Sequence, residues 1–186
     1  FISLLCMLLS SAYVIAQGFP TVSTDEETKW YLIQFMNGGN ALTAETDGAN
    51  ITTSAGKGSD AQLWKITGSK TQGYVLTNKK GYTLSVASSE KNQMVRAQSS
   101  ASGSYKFAIN TSTASGYSDG YEIQPRGNTA ISMNLWGGPA ENRGVGLWDK
   151  GDKNNAVKFV DAETFERLGK IALIPYPSFL EMSEGN

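Results

Sequence analysis

Gln62-Leu63-Trp64-Lys65-Ile66 is the segment that decides the fold, because two further segments repeat its pattern. In each of them an aromatic residue lies within a short alternation of polar and apolar residues: Tyr105-Lys106-Phe107-Ala108-Ile109 and Val157-Lys158-Phe159-Val160. The three closing aromatics lie 43 and 52 residues apart along the chain. The tyrosines that open the three units lie 43 and 47 residues apart, at Tyr31, Tyr74 and Tyr121. An internal period of this length predicts a repeat architecture of three units.

Short apolar runs rich in Val, Ile, Tyr, Thr and Trp fill the chain from Trp30 to about Phe159. Gly, Asn, Ser and Asp separate these runs, which is typical of strands joined by turns. A helical stripe first occurs at residues 162–168, where it predicts one or two helical turns. Each unit has room for about four strands of ordinary length.

One such unit cannot bury its apolar face by itself. Three units around a pseudo-threefold axis close a small barrel and remove the exposed sheet edges, whereas propellers need more than three blades. We therefore expect an all-β fold over residues 29–165, a β-trefoil of twelve short strands in three pseudo-symmetric repeats. Trp64, Phe107 and Phe159 would share its core.

The composition excludes several functional classes. The chain has 186 residues, a net charge of -1, no histidine and a single cysteine, Cys6. Scattered charges and no net positive charge argue against nucleic-acid binding. Without histidine there is no Ser-His-Asp or Cys-His catalysis. We find no catalytic residues and no metal-ligand spacing or phosphate loop, so no metal and no cofactor is expected.

Residues 1–17 are nearly uncharged and apolar, and small residues near Ala16 suit cleavage after that position. This stretch resembles a secretory signal peptide clipped at its N-terminus, with a short membrane anchor or a lipidated Cys6 as alternatives. Residues 18–28 are polar and rich in turn formers, which predicts a linker. Export without disulfides suggests the bacterial periplasm, the cell surface or the extracellular space, and no membrane span in the mature protein.

Gln62-Leu63-Trp64 is similar to the Gln-x-Trp signature of ricin-type β-trefoil lectins, with degraded versions around Phe107 and Phe159. The third unit carries a longer resemblance, in Ala130–Met133, Trp136-Gly137-Gly138 and Val145–Asp149. The resemblance spans roughly Trp30 to Asp161. It implies a shallow sugar pocket in each repeat, made of an early acidic residue, a stacking aromatic ring and an amide near the closing aromatic. It also gives Gln62, Trp64, Phe107 and Phe159 a structural role as the core signature.

In this chain the resemblance favours one pocket. Thr43, Ser85 and Ser132 occupy the positions where the family has its acidic residue. Counting eleven residues back from each closing aromatic places Thr53, Arg96 and Trp148 at the stacking position, so only the third unit has a ring. The predicted carbohydrate-binding residues are those of this third unit: Trp148 as platform, Asp149, Asn155, Ser132, Asn134 and Trp136. The alternative is that Trp148 packs beneath a loop.

Residues 166–186 are predicted to be a linker and the first strand of a following domain. The stretch from Leu173 to Gly185 resembles the opening of the N-terminal domain of family 20 glycoside hydrolases, the β-N-acetylhexosaminidases. This resemblance implies a carbohydrate-binding module of a secreted glycosidase whose catalytic domain is absent from this chain. Its partners would be that downstream domain and glycans such as those containing N-acetylhexosamine or galactose. The alternative is a β-trefoil without pockets that serves as a structural spacer or protein-interaction module.

Overall fold

A computed structural model describes residues 18–100 and 103–172. The predicted signal peptide at 1–17 and the residues after 172 lie outside this range. The described residues form twelve strands and one helix: β1 (Tyr31–Phe35), β2 (Ala41–Thr43), β3 (Thr52–Ser54), β4 (Leu63–Ser69), β5 (Gly73–Asn78), β6 (Thr83–Val86), β7 (Val95–Gln98), β8 (Phe107–Thr111), β9 (Tyr121–Pro125), β10 (Ile131–Leu135), β11 (Arg143–Asp149), β12 (Val157–Asp161) and α1 (Ala162–Ala172). No helix in the described ranges is both long and apolar enough to cross a membrane.

Six of the strands close into a barrel. Antiparallel pairing runs from β1 to β4, β5, β8, β9 and β12, and β12 pairs with β1 again. The remaining six strands form three hairpins, β2 with β3, β6 with β7, and β10 with β11. Each repeat thus gives two strands to the barrel and one hairpin, which is the architecture of a β-trefoil. The predicted fold class is confirmed.

The closing aromatics fill the core as predicted. Trp64 and Phe107 are fully buried and Phe159 is 3% exposed. The indole N–H of Trp64 donates a hydrogen bond of 3.0 Å to the carbonyl of Leu42, so the largest core side chain leaves no buried donor unpaired. The rings of Tyr31 and Tyr121 pack against Phe159, with centroids 6.2 and 5.8 Å away.

Gln62 of the signature anchors a loop. Its side-chain amide donates to the hydroxyl of Ser54 at 2.8 Å and to that of Thr43 at 3.1 Å, and its side-chain oxygen accepts from the amide of Lys57 at 2.8 Å. The side chain is buried. Gln62 therefore ties the β3–β4 loop to the first hairpin, as expected of a structural residue.

The three hairpins interlock in a cycle. Isolated bridges join Asn50 to Arg96 and Met94 to Gly146, and β11 pairs with β3 through Arg143 and Thr53. Every hairpin therefore touches the next repeat, so a loop of one repeat lies over the hairpin of its neighbour.

Both flanks of the trefoil are attached to the barrel. In the predicted linker 18–28, Ser23 donates its amide to Ile66 at 2.7 Å, and Phe19 packs on the rings of Tyr74 and Tyr121. Helix α1 contains the helical turns predicted at 162–168 and continues to Ala172, past the predicted domain boundary at residue 165, where the sequence had predicted a linker. Asp161 caps the helix by accepting from the amide of Thr164 at 2.9 Å.

We expect Trp64→Ala to lower the free energy of unfolding by about 3–5 kcal/mol, because it empties the centre of the core. Trp64→Phe keeps an aromatic ring, as Phe107 and Phe159 do, and loses mainly the hydrogen bond to Leu42, at about 1–2 kcal/mol. Urea unfolding followed by circular dichroism measures both. An alanine variant no less stable than the phenylalanine variant would contradict the central position of Trp64.

Candidate functional site

The third hairpin presents Trp148 on its outer face. In the register of β10 and β11, Ser132 lies opposite Trp148 and Met133 lies opposite Leu147. Because side chains alternate across a strand, Met133 and Leu147 enter the core while Trp148 faces outward. The Trp148 side chain is 36% exposed, among the largest apolar surfaces of the described residues. The ring is therefore only partly covered, and not packed wholly beneath a loop as the alternative prediction had it.

The register corrects one of the predicted equivalents. Arg96 lies opposite Ser85 as Trp148 lies opposite Ser132, but Thr43 lies opposite Thr52. The stacking position of the first repeat is therefore Thr52, and Thr53 is a fully buried neighbour. Counting back eleven residues from Trp64 was wrong by one, because Thr52 lies twelve residues before Trp64, whereas Arg96 and Trp148 lie eleven residues before Phe107 and Phe159. The conclusion that only the third repeat has a ring there is unchanged.

Trp136 extends the aromatic surface. Its ring meets that of Trp148 edge to face, with centroids 6.1 Å apart and an interplanar angle of 79°. Ring atoms of Trp136 lie directly over Gly146, closer than any Cβ atom would permit. Glycine at position 146 is therefore what allows the Trp136 ring to approach β11 closely, beside Trp148.

One face of Trp148 carries a cation that the sequence analysis missed. Lys91 Nζ lies 3.7 Å from the Trp148 ring centroid and forms an ion pair with the carboxylate of Asp149. Lys91 belongs to the β6–β7 loop of the second repeat and is 58 residues from Asp149 in sequence. No local pattern could have found it, because the contact depends on how the hairpins interlock.

Three predicted site residues are buried beneath the aromatic surface. Asn155 donates to the carbonyl of Asp149 at 2.7 Å and accepts from the side-chain amide of Asn134 at 2.8 Å. Ser132 donates to the carbonyl of Ile123 at 3.3 Å. Asn155 and Ser132 are fully buried and Asn134 is 6% exposed. Asn134 and Asn155 are placed to hold the β11–β12 loop, whereas Ser132 ties β10 to β9. Of the predicted residues, Trp148, Asp149 and Trp136 reach the surface.

Glu122 on β9 also holds this loop and was not predicted. Its fully buried carboxylate accepts hydrogen bonds from the amide of Thr113 at 2.9 Å and from the amide of Gly151 at 3.2 Å. Gly151 has φ of +83°, a conformation that glycine adopts without strain. The loop that follows Trp148 is therefore fixed from both β9 and β10.

In sequence comparisons the chain matches no protein-family model and no curated protein. Among solved structures it is similar to the Rhizoctonia solani agglutinin, with 21% identity and a TM-score of 0.61 over 76% of this chain and 99% of that one. It is also similar to the Macrolepiota procera ricin B-like lectin in complex with lactose, with 15% identity and a TM-score of 0.60 over 76% of this chain and 98% of that one.

A third similar structure is 1,3Gal43A, an exo-β-1,3-galactanase from Clostridium thermocellum. Its identity is 19% and its TM-score 0.62, over 76% of this chain but only 31% of that one. Together these comparisons establish the fold of the chain as a β-trefoil, a fold that it shares with a ricin B-like lectin.

We expect Asn155→Ala to lower the free energy of unfolding by about 1–3 kcal/mol, because it leaves the buried Asn134 amide and the Asp149 carbonyl each short of a partner. Lys153→Ala is the matched control: Lys153 is exposed in the same loop, and its loss should change stability by no more than about 0.5 kcal/mol. Chemical unfolding of the two variants makes the comparison. Equal stability would show that the amide pair does not hold the loop.

Proposed function

We propose that this chain is a carbohydrate-binding module whose sugar site is the third repeat, with Trp148 as its platform. The observation that carries the proposal is the exposed Trp148 ring, which meets the half-buried Trp136 ring edge to face and has the Asp149 carboxylate beside it. The C–H face of a pyranose is apolar and packs on an indole ring, while its hydroxyl groups donate to a carboxylate. The glycan complex of a structurally similar lectin supports the same class of ligand.

The other two repeats lack an aromatic ring at the platform position. Thr52 and Arg96 occupy the platform position there, and the Arg96 guanidinium donates to the side-chain oxygen of Asn50 at 3.2 Å. A single shallow site binds weakly, so retention on a surface would depend on multivalent display or on an attached domain. Glycans containing galactose or N-acetylhexosamine are the first ligands to test.

Trp148→Ala should weaken glycan binding by at least about tenfold, or ~1.4 kcal/mol, because the stacking surface is lost. Arg96→Ala is the matched control, since it changes the equivalent position of the second repeat and should leave binding unchanged. A glycan array identifies a ligand for the unaltered chain, and calorimetry or NMR titration then compares the variants. Unchanged binding by Trp148→Ala would refute this site.

A spacer or protein-interaction module is the second candidate, favoured by the missing rings at Thr52 and Arg96. It predicts that the unaltered chain is retained by no glycan on the array, while Trp148→Ala and wild type behave alike. The array therefore separates the two functions directly.

We also propose that the module serves an exported glycoside hydrolase of the β-N-acetylhexosaminidase type. Support comes from the resemblance at 173–185, outside the described residues, and from the galactanase, of which the similar region is about a third. The proposal predicts that the gene encodes a catalytic domain downstream, and that the longer protein releases p-nitrophenol from p-nitrophenyl N-acetyl-β-D-glucosaminide. A following domain of another class, or none, would contradict it.

A further inference from the structure

The position of Lys91 over Trp148 is built into the backbone. Its neighbours Asn92 and Gln93 pair with β11, since Asn92 donates its amide to the carbonyl of Leu147 at 2.9 Å and Leu147 donates to the carbonyl of Gln93 at 2.9 Å. Asn92 has φ of +69°, in the left-handed region that asparagine tolerates better than most residues. On the other side of Lys91, the Asn128 side-chain amide donates to the carbonyl of Ser89 at 3.1 Å. The loop is therefore held from both sides of the lysine.

This placement decides which sugars can use the ring. A neutral pyranose that stacks on the covered face of Trp148 must displace the ammonium and loses the cation–π contact, which lowers its affinity by roughly two- to fivefold. The displaced ammonium gains nothing from a neutral ligand beyond ordinary hydroxyl contacts. Lys91 thus acts against neutral sugars at this face.

A sugar that bears a carboxylate interacts differently with Lys91. An ammonium group has three donors. Within the described residues, Lys91 Nζ donates a hydrogen bond to the Asp149 carboxylate. A second carboxylate, brought by the ligand, can therefore pair with the same ammonium as it moves off the ring. The hydroxyl groups of the ligand remain available to donate to Asp149, and its apolar face is left to stack on Trp148.

We propose that Lys91 is a specificity-determining residue that biases the third-repeat site towards pyranosides bearing a carboxylate, such as uronic acids, over their neutral counterparts. The inference rests on the proposed function of that site. It adds a residue from the second repeat, so the site spans two repeats, with Trp148 for stacking, Asp149 for hydroxyl groups and Lys91 for the carboxylate.

Lys80 provides a matched control within the chain. Its Nζ lies 5.8 Å from the ring centroid of Tyr82 and 3.3 Å from the carboxylate of Glu45, so it combines an aromatic ring and an acidic partner as Lys91 does. Among the described residues its charged group contacts Glu45 of the first repeat and Tyr82 of the second, and not Trp148. Lys80→Met therefore removes the same charge and the same kinds of contact away from the proposed site.

The test compares methyl β-D-glucuronide with methyl β-D-glucoside, and methyl α-D-galacturonide with methyl α-D-galactoside. Binding is followed by the indole N–H signal of Trp148 in ¹H–¹⁵N spectra, assigned with Trp148→Phe. In at least one pair, the unaltered chain should bind the acid about fivefold more tightly at low salt. The preference should shrink at high salt. Lys91→Arg should keep it, as should Lys80→Met.

Lys91→Met should lower the acid-to-neutral ratio to one or below, because the freed ring face favours the neutral sugar and the unpaired Asp149 carboxylate repels the acid. A ratio unchanged by Lys91→Met, or tighter binding of the neutral sugar by the unaltered chain, overturns the inference and leaves the proposed function standing. If no glycoside moves the Trp148 signal and none binds on the array, the proposed function fails and the inference fails with it.

Discussion

Closure of the six-stranded barrel is the constraint on which the rest of this structure depends. The barrel leaves no open edge in its own ring of pairing, and its interior must be filled by large side chains. Trp64, Phe107 and Phe159 meet that requirement, one from each repeat. Because the barrel strands are fixed in this way, the hairpin of each repeat can interlock with the neighbouring repeat. The barrel strands also set the positions of the loops that connect them.

The pseudo-threefold symmetry is strict in the core and relaxed on the surface. Core positions must satisfy packing on all sides, so the three closing aromatics remain large and apolar. The outer faces of the hairpins carry no such requirement, and there the repeats differ: Thr52, Arg96 and Trp148 occupy the same register position. The three hairpins therefore offer three equivalent platform positions, of which one carries an aromatic ring. Function has to be argued from the residues at that position rather than from the fold.

In the candidate site, residues that are close in sequence have two different roles: some are exposed to a ligand, and others are buried and hold the loop in place. Trp148 and Asp149 end β11 and face outward, whereas Asn155 turns inward to hold the carbonyl of Asp149. A buried amide is retained because it satisfies backbone and side-chain groups that water cannot reach. Sequence spacing could bring these residues together in one site, but it could not separate those that reach the surface from those that hold the loop.

The amino-acid sequence by itself determined the architecture and the repeat that carries the aromatic surface. Both follow from periodic signals, the alternation within strands and the recurrence of the closing aromatics. Only the tertiary structure decided the strand register, which puts Thr52 rather than Thr53 at the platform position of the first repeat. It also decided that Ser132, Asn134 and Asn155 are buried, and it alone gave Lys91 and Glu122 their roles. These depend on contacts between residues far apart in the chain, as between Lys91 and Asp149 at a separation of 58 and Glu122 and Gly151 at 29. Such contacts exist only once the barrel has closed and the hairpins have interlocked.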